Sequence, residues 1–313
     1  SRIMTGGPLP DGADAVVMQE RTRSAPAEAA EVEVLEPVSA GNFVRGRGED
    51  ARQGELLLAK GTPIGIPEAA LLWAQAITQV AVPRRPRVAI LATGDELCPV
   101  DEPSGEKVID SNSPALVLAV RRAGAIPSPL GIARDNLEDV VRKLARAQDY
   151  DVVLTSAGVS VGEHDFVKDA LHELGVEMNF WRVAIKPGKP LAVGQKGATL
   201  FFGLPGNPTS SMVSFELFVR PALRRMLGHS AVRPTRVRGR CAVELRKGAG
   251  LSHFVRVTAE WRDGDLWARP LESQTSGALR SAVGATHLML FPEPSTFLAT
   301  GDPVELLPVS WAP

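Results

Sequence analysis

The sequence predicts an α/β fold: a central, mainly parallel, doubly wound sheet between an irregular β-rich N-terminal region and a small all-β C-terminal domain. Three observations predict it. From residue 87 to about 229, apolar strand-like runs alternate with segments of helical period. Three of those runs end in turns rich in Gly, Ser or Pro, as strands do at the binding edge of open α/β sheets. Outside that stretch, short β-type runs dominate. The expected boundaries are 1–45 for the incomplete β-rich region, 46–83 for a connecting helix/β segment, 84–230 for the α/β domain and 231–313 for the β domain.

Asp14–Glu20 and Glu31–Leu35 read as strands, the second alternating so that one face is wet. Thr22–Ala30 between them reads as a hairpin loop, and Asn42–Gly54 as a Gly- and charge-rich loop. Pro67–Ala76 is a helix with Pro in its first turn. Pro83-Arg-Arg-Pro86 is a linker. Strand Arg87–Leu91 follows, then helix Pro114–Ala123, capped by Ser113 and closed by Gly124. Strand Ile126–Ile132, helix Leu137–Gln148 with Asn136 as cap, strand Asp151–Thr155 and helix Phe166–Leu174 complete the βαβ run. Val176–Val183, Leu191–Val193 and Thr199–Phe202 are further strands. Asn207 caps a long helix opened by Pro208, which Pro221 should kink before it ends at Gly228. His253–Trp261 and Leu266–Leu271 flank Arg262-Asp-Gly-Asp265, a hairpin signal, and Val304–Leu307 closes the domain.

Composition excludes several classes. The net charge of −1 provides no global field for nucleic acid or an anionic membrane, and the 5% aromatic content argues against a base-stacking platform. No apolar run approaches the roughly 20 residues needed to span a bilayer. No signal peptide is visible, so the reading is cytoplasmic. Cys98 and Cys241 belong to no metal-spaced cluster and read as two unrelated reduced thiols. The chain starts at Ser1 and Arg2-Ile-Met-Thr5 reads as mid-domain, so an N-terminal portion is expected to precede it.

The chemistry lies in the turns. Ala92-Thr-Gly-Asp-Glu96, Thr155–Asp165 and Gly203-Leu-Pro-Gly-Asn-Pro208 each follow a buried strand, where backbone N–H groups and helix N-termini favour anions. Neither a P-loop nor a strand-linked G-x-G-x-x-G occurs, which argues against a P-loop NTPase and an ordinary dinucleotide enzyme. Acids gather after the strands: Asp95, Glu96, Asp110, Asp135, Glu163 and Asp165. Beside phosphates they would repel unless Mg²⁺ or another cation bridges, whereas Asp135 and Asp165 alone would read as helix caps. Lys186-Pro-Gly-Lys189-Pro190 aims two lysines from a stiffened turn, either at one oxyanion or at solvent. The five histidines form no H-x-x-x-H pair and no Ser sits in G-x-S-x-G, so a zinc site and a hydrolase triad lack support.

In chain order, Ile3-Met-Thr-Gly-Gly-Pro-Leu-Pro10, Gly12–Glu20, Arg47-Gly-Glu-Asp50, Thr93-Gly-Asp-Glu-Leu97, Gly158-Val-Ser-Val-Gly-Glu163, Ile185–Pro190 and Gly203–Pro208 resemble the molybdopterin molybdenumtransferases, the family of bacterial MoeA and the gephyrin E domain. The resemblance implies a molybdopterin-binding fold for the central domain. It implies the last step of molybdenum cofactor synthesis: molybdate enters adenylylated molybdopterin with Mg²⁺, and AMP leaves. Glu96, Asp135 and Asp165 would hold metal and substrate as catalytic acids, with Lys186 and Lys189 on the oxyanion or phosphate. Thr93, Gly94, Asp95, Ser156, Gly158, Ser160, Gly162, Pro205, Gly206, Asn207 and Pro208 would line the pocket, with Thr5 and Ser276 on its far wall. A homodimer and an adenylyltransferase partner are also implied, with no nucleic acid and no membrane.

Some departures stand out. Ala157 occupies the first Gly of the family's Gly-Gly-Val-Ser, where it needs only a conformation compatible with a Cβ, and His164 replaces a frequent Tyr. The family's Met-Asp-Gly-Tyr-type motif does not occur. Competing readings are the sister adenylyltransferase, typically a single domain, a non-catalytic scaffold, and a nucleotide-binding module.

Overall fold

The computed structural model describes residues 1–24, 31–147, 149–158 and 166–312. These pack as two units, Ser1–Lys60 and Gly61–Pro313. In the first unit, β1 (Thr22–Ser24) pairs antiparallel with β2 (Val32–Val34). Thr22–Ser24 is therefore strand where loop is expected. Asp14–Glu20 is not a strand. Its backbone bonds to a loop, with the Val16 N–H on the Asn42 carbonyl and the Gly41 N–H on the Asp14 carbonyl, and it ends in a 3₁₀ turn, Gln19–Arg21. β2 is exposed on both faces rather than one.

The second unit opens with α1 (Ile66–Ala74). β3 (Arg87–Thr93), β4 (Leu97–Cys98), β5 (Val108–Ile109), α2 (Asn112–Arg122), β6 (Ile126–Ala133), α3 (Leu137–Ala145), β7 (Val152–Ser156) and α4 (Phe166–Glu173) follow. β8 (Glu177–Arg182), β9 (Ile185–Lys186), β10 (Pro190–Lys196) and β11 (Thr199–Leu204) lead to α5 (Pro208–Ser214) and α6 (Arg220–Met226). The main sheet runs β6-β3-β7-β11-β10-β8, with the first four strands parallel, β10 antiparallel to β11, and β8 antiparallel to β10 and so aligned with the first four. Parallel strands buried on both faces read as unbroken apolar runs, as Val88–Ala92 and Val152–Leu154 do. Alternate residues serve opposite layers. Val88, Ile90 and Leu154 pack on Leu116, Phe215 and Leu223, while Ala89, Leu91 and Val153 pack on Val140, Leu144 and Val167. The sheet is doubly wound.

Three helix details differ from expectation. α2 begins at Asn112, so Ser113 lies inside its first turn. The Asp110 Oδ1 accepts the N–H groups of Asn112 (3.1 Å) and Ser113 (3.0 Å) in its place. α3 ends at Ala145, whereas its cap is as expected: Asn136 accepts the Asp139 N–H at 2.9 Å. The long helix is interrupted by a π turn, Phe215–Val219, ahead of Pro221. Proline cannot donate to the carbonyl four residues back, and a wide turn absorbs the missing rung.

The C-terminal strands are β12 (Val237–Cys241), β13 (Leu245–Arg246), β14 (Ser252–Arg262), β15 (Asp265–Pro270), β16 (His287–Phe291), β17 (Phe297–Leu298) and β18 (Pro303–Pro308). The order β15-β12-β18-β16-β14 closes on itself because β14 also pairs with β15. This small barrel is filled by Cys241, Val255, Val257, Met289, Phe291 and Leu306. β9 lies parallel to β14 on its outer edge, so the segment between β8 and β10 is hydrogen-bonded to the barrel. Cys98 and Cys241 are buried free thiols. Among the described residues, no helix is long and apolar enough to cross a membrane.

Candidate functional site

Register places the strand ends together. Ala92 and Leu204 both pair with Ser156, so the turns after β3, β7 and β11 begin at one level. The Ala157 N–H donates to the Leu204 carbonyl at 3.1 Å and stitches two of them. Gly158 has φ +72, and a Cβ there would stand 2.2 Å from Val167 Cγ2 and 3.1 Å from Thr93 Oγ1. Ala157 is also left-handed, at φ +75. This overturns the expectation that its backbone suits a Cβ, since the site demands a conformation that glycine adopts more cheaply. Ser160, Gly162 and Asp165 lie outside the described residues.

The acid loops meet at the β3–β6 edge. Asp95 N–H donates to Asp135 Oδ2 (3.2 Å) and Asp135 N–H to Asp95 Oδ1 (3.3 Å). Asp135 thus faces Asp95 while Asn136 caps α3. Among the described residues, no three His, Cys, Asp or Glu side chains form a metal-holding cluster.

A cleft of about 540 Å³ opens over these turns, lined by Glu96, Asn112, Ser156, Gly158, Pro205 and Gly206. A second, of about 650 Å³, is lined by Lys186, Lys189, Ser210, Gln274 and Ser276, and shares Pro190, Pro205 and Asn207 with the first. A third, of about 900 Å³, runs between α2 and β6, touches Gly94 and Asp95, and meets the first at Leu97 and Asp110.

In the lysine turn Pro187 and Gly188 are buried and Lys186 and Lys189 exposed, so a buried backbone presents two exposed cations. Gly188 has φ +104, and a Cβ there would meet Ser214 Oγ at 2.7 Å. Asn207 does not cap α5 with its side chain. Its Nδ2 instead donates to Ser276 Oγ at 3.1 Å, which joins the barrel loop to the Gly-Asn-Pro turn. Thr5 belongs to the first unit, where it lies exposed in the turn closed by the Gly7 N–H on the Met4 carbonyl.

Comparison with known families gives the same layout along the whole chain. Residues 1–76 match the MoeA N-terminal region (domain I and II), 89–225 a probable molybdopterin binding domain, and 238–309 the MoeA C-terminal region (domain IV). A molybdopterin molybdenumtransferase of Nostoc sp. is 36% identical over 314 residues, covering 98% of this chain and 71% of the relative. The chain belongs to the molybdopterin molybdenumtransferase family. A Bacillus subtilis molybdenumtransferase is 33% identical over 309 residues, covering 98% of this chain and 72% of its own. The fold is similar to the molybdopterin biosynthesis MoeA protein of Pyrococcus horikoshii, with a TM-score of 0.79, 29% identity and coverage of 98% and 74%. As a member of this family the chain is a transferase of molybdenum cofactor biosynthesis, and the three-part match disfavours the single-domain adenylyltransferase reading.

Three residues at or behind the clefts carry no signal in the sequence motifs. Asn112 lines the first cleft. Arg256, on β14, is fully buried without a carboxylate partner among the described residues, and burial pulls its pKa down. Its guanidinium donates to the carbonyls of Ser281 (2.9 Å), Thr275 (3.3 Å) and Ser273 (3.5 Å). Gln274 grips the Arg256 backbone both ways, accepting its N–H (3.0 Å) and donating to its carbonyl (2.9 Å). Together they hold the loop that carries Ser276. The available signal was an arginine inside the apolar run His253–Val257, where an unpaired charge demands an explanation.

Proposed function

We propose that this transferase inserts molybdate into adenylylated molybdopterin and releases AMP, with the adjoining clefts as its site. The observation that carries the reading is their shared wall. The lysine turn and Ser276 stand on one side of Pro205 and Asn207, and the turns after β3 and β7 on the other. Lys186 and Lys189 bind the oxyanion through charge-assisted hydrogen bonds, and Ser276 completes that end. Thr93, Gly94, Ser156, Gly158, Pro205, Gly206 and Pro208 shape the side that takes the phosphate-bearing substrate. Ser160 and Gly162 belong to the same reading.

Glu96, Asp135 and Asp165 are the proposed metal residues. The donor set suits Mg²⁺, which is ordinarily held by one or two carboxylates plus substrate phosphates, and the mutual approach of Asp95 and Asp135 supports it. When bound, Mg²⁺ supplies charge neutralisation between acids and pyrophosphate. The remaining work is electrostatic: fixed donors and lysines lower the cost of bringing one anion to another. The reading includes a cytoplasmic homodimer supplied by an adenylyltransferase.

The test is molybdate-dependent AMP release from adenylylated molybdopterin. K186Q and K189Q should each raise half-saturating molybdate about tenfold or more, the loss of one charge-assisted bond. Asp165→Asn should abolish insertion in a folded protein. Unchanged molybdate dependence in both lysine variants, or near-normal turnover in D165N, removes the assignment.

A further inference from the structure

Asn112, the first residue of α2, ties two turns of the cleft together. Its Nδ2 donates to Ser156 Oγ at 2.8 Å and to the Gly206 carbonyl at 2.7 Å, so both amide protons are used. Ser156 ends β7, and Gly206 lies in the turn after β11. Asn112 is itself anchored, because Asp110 Oδ1 accepts the N–H groups of Asn112 and Ser113 and fixes where α2 begins. The two turns also approach each other directly, since a Cβ on Gly206 would stand 3.2 Å from Ala157 Cβ. Beyond the Ala157–Leu204 backbone bond, the turns are thus bridged by a side chain rooted in a third element. Ser156 is 2% exposed and lines the cleft. Accepting from Asn112 leaves its own proton for a second acceptor, and a phosphate oxygen in the cleft is one.

We propose that Asn112 is a positioning residue for the phosphate-bearing substrate. It bridges the turns after β7 and β11 and leaves the Ser156 hydroxyl free to donate. This rests on the reading of those turns as the substrate site.

The test compares N112A, N112D and S156A in the full chain, with adenylylated molybdopterin and molybdate titrated separately. N112A should raise the KM for adenylylated molybdopterin about tenfold and move half-saturating molybdate less than twofold. S156A should reproduce the defect, and N112A/S156A should be no worse than either alone. At neutral pH the N112D carboxylate sets an acceptor against the Gly206 carbonyl and can take the Ser156 hydroxyl proton that the substrate needs, and its carboxyl regains one donor when protonated. Its KM should therefore fall towards that of wild type as pH is lowered, while that of N112A stays flat. Equal effects on both substrates, additive losses in the double variant, or a pH-independent N112D would overturn the proposal. Should N112A fail to fold, S156A and the pH profile of N112D decide it. K186Q separates the two readings: if it raises the molybdate requirement while the Asn112 variants behave as wild type, only this inference falls. If all are silent, the site itself is wrong.

Discussion

The main-chain carbonyl of Ser276 accepts two hydrogen bonds from Thr209, one from the backbone N–H at 3.1 Å and one from the hydroxyl at 2.7 Å. Thr209 is the second residue of α5, and its N–H is among those a helix cannot satisfy internally. The barrel loop satisfies it, so α5 and the Ser276 loop hold each other in place.

Thr209→Val keeps the shape of this fully buried side chain and removes only the hydroxyl donor. The loss should be about 1–2 kcal/mol of stability in urea unfolding, because one lone pair of the carbonyl stays desolvated. Half-saturating molybdate should rise with it, since Ser276 loses one anchor. A stable variant with unchanged molybdate dependence would show that the backbone bond alone fixes the loop.

Gly188→Ala tests the lysine turn. Its φ of +104 disfavours any side chain, and the new Cβ would stand 2.7 Å from Ser214 Oγ. Stability should fall by about 1–3 kcal/mol. Adding S214A should restore only the part due to the clash, and a double-mutant cycle separates the two terms. Full restoration would mean that the backbone conformation costs nothing.

How far the molecule could be read from its sequence depended on how local the decisive partner was. Strands β3, β7 and β11 were legible because burial on both faces writes an apolar run into consecutive residues. The Asp263-Gly264 hairpin was legible because two left-handed residues require such a pair. The cap of α2 was not, since Asp110 and Ser113 both qualify and only the position of the first turn decides between them. Asn207 read as a cap because its true partner, Ser276, lies 69 residues away. Asp14–Glu20 shows the reverse failure: Val16 and Val17 look like strand, but the backbone that meets them is a loop. In the site, the glycine turns and the lysines were visible as motifs, whereas Asn112, Arg256 and Gln274 act through contacts that no spacing encodes.

Ala157 sits at φ +75, where an L-residue is strained by about 1–2 kcal/mol and glycine is not. Glycine also costs about 0.5–1 kcal/mol more chain entropy on folding. Ala157→Gly should therefore stabilise the protein modestly, by up to about 1 kcal/mol in urea unfolding. A clear loss of stability would show that the Ala157 methyl packs against the Gly206 turn for more than its backbone costs.

Asp139 carries a pH dependence of known sign. The backbone N–H of Arg134 donates to its Oδ2 at 2.9 Å, and this bond does most to hold the carboxyl down at about 2. Burial opposes the shift, while Arg142 and Lys143, the latter at 3.5 Å, assist it. The folded value lies below the ordinary carboxylate value of about 3.9, so protons bind the unfolded chain more readily. The contribution is complete above that ordinary value and is lost as pH falls towards 2. Asp139→Asn removes the titration while leaving the Asn136 cap, which uses the Asp139 backbone N–H. The variant should be less stable than wild type at pH 6 and the difference should shrink steadily between about pH 4 and 2. Urea unfolding at pH 6, 4, 3 and 2 measures it. Parallel curves for the two proteins would mean that the carboxylate is no better held in the folded state than in the unfolded chain.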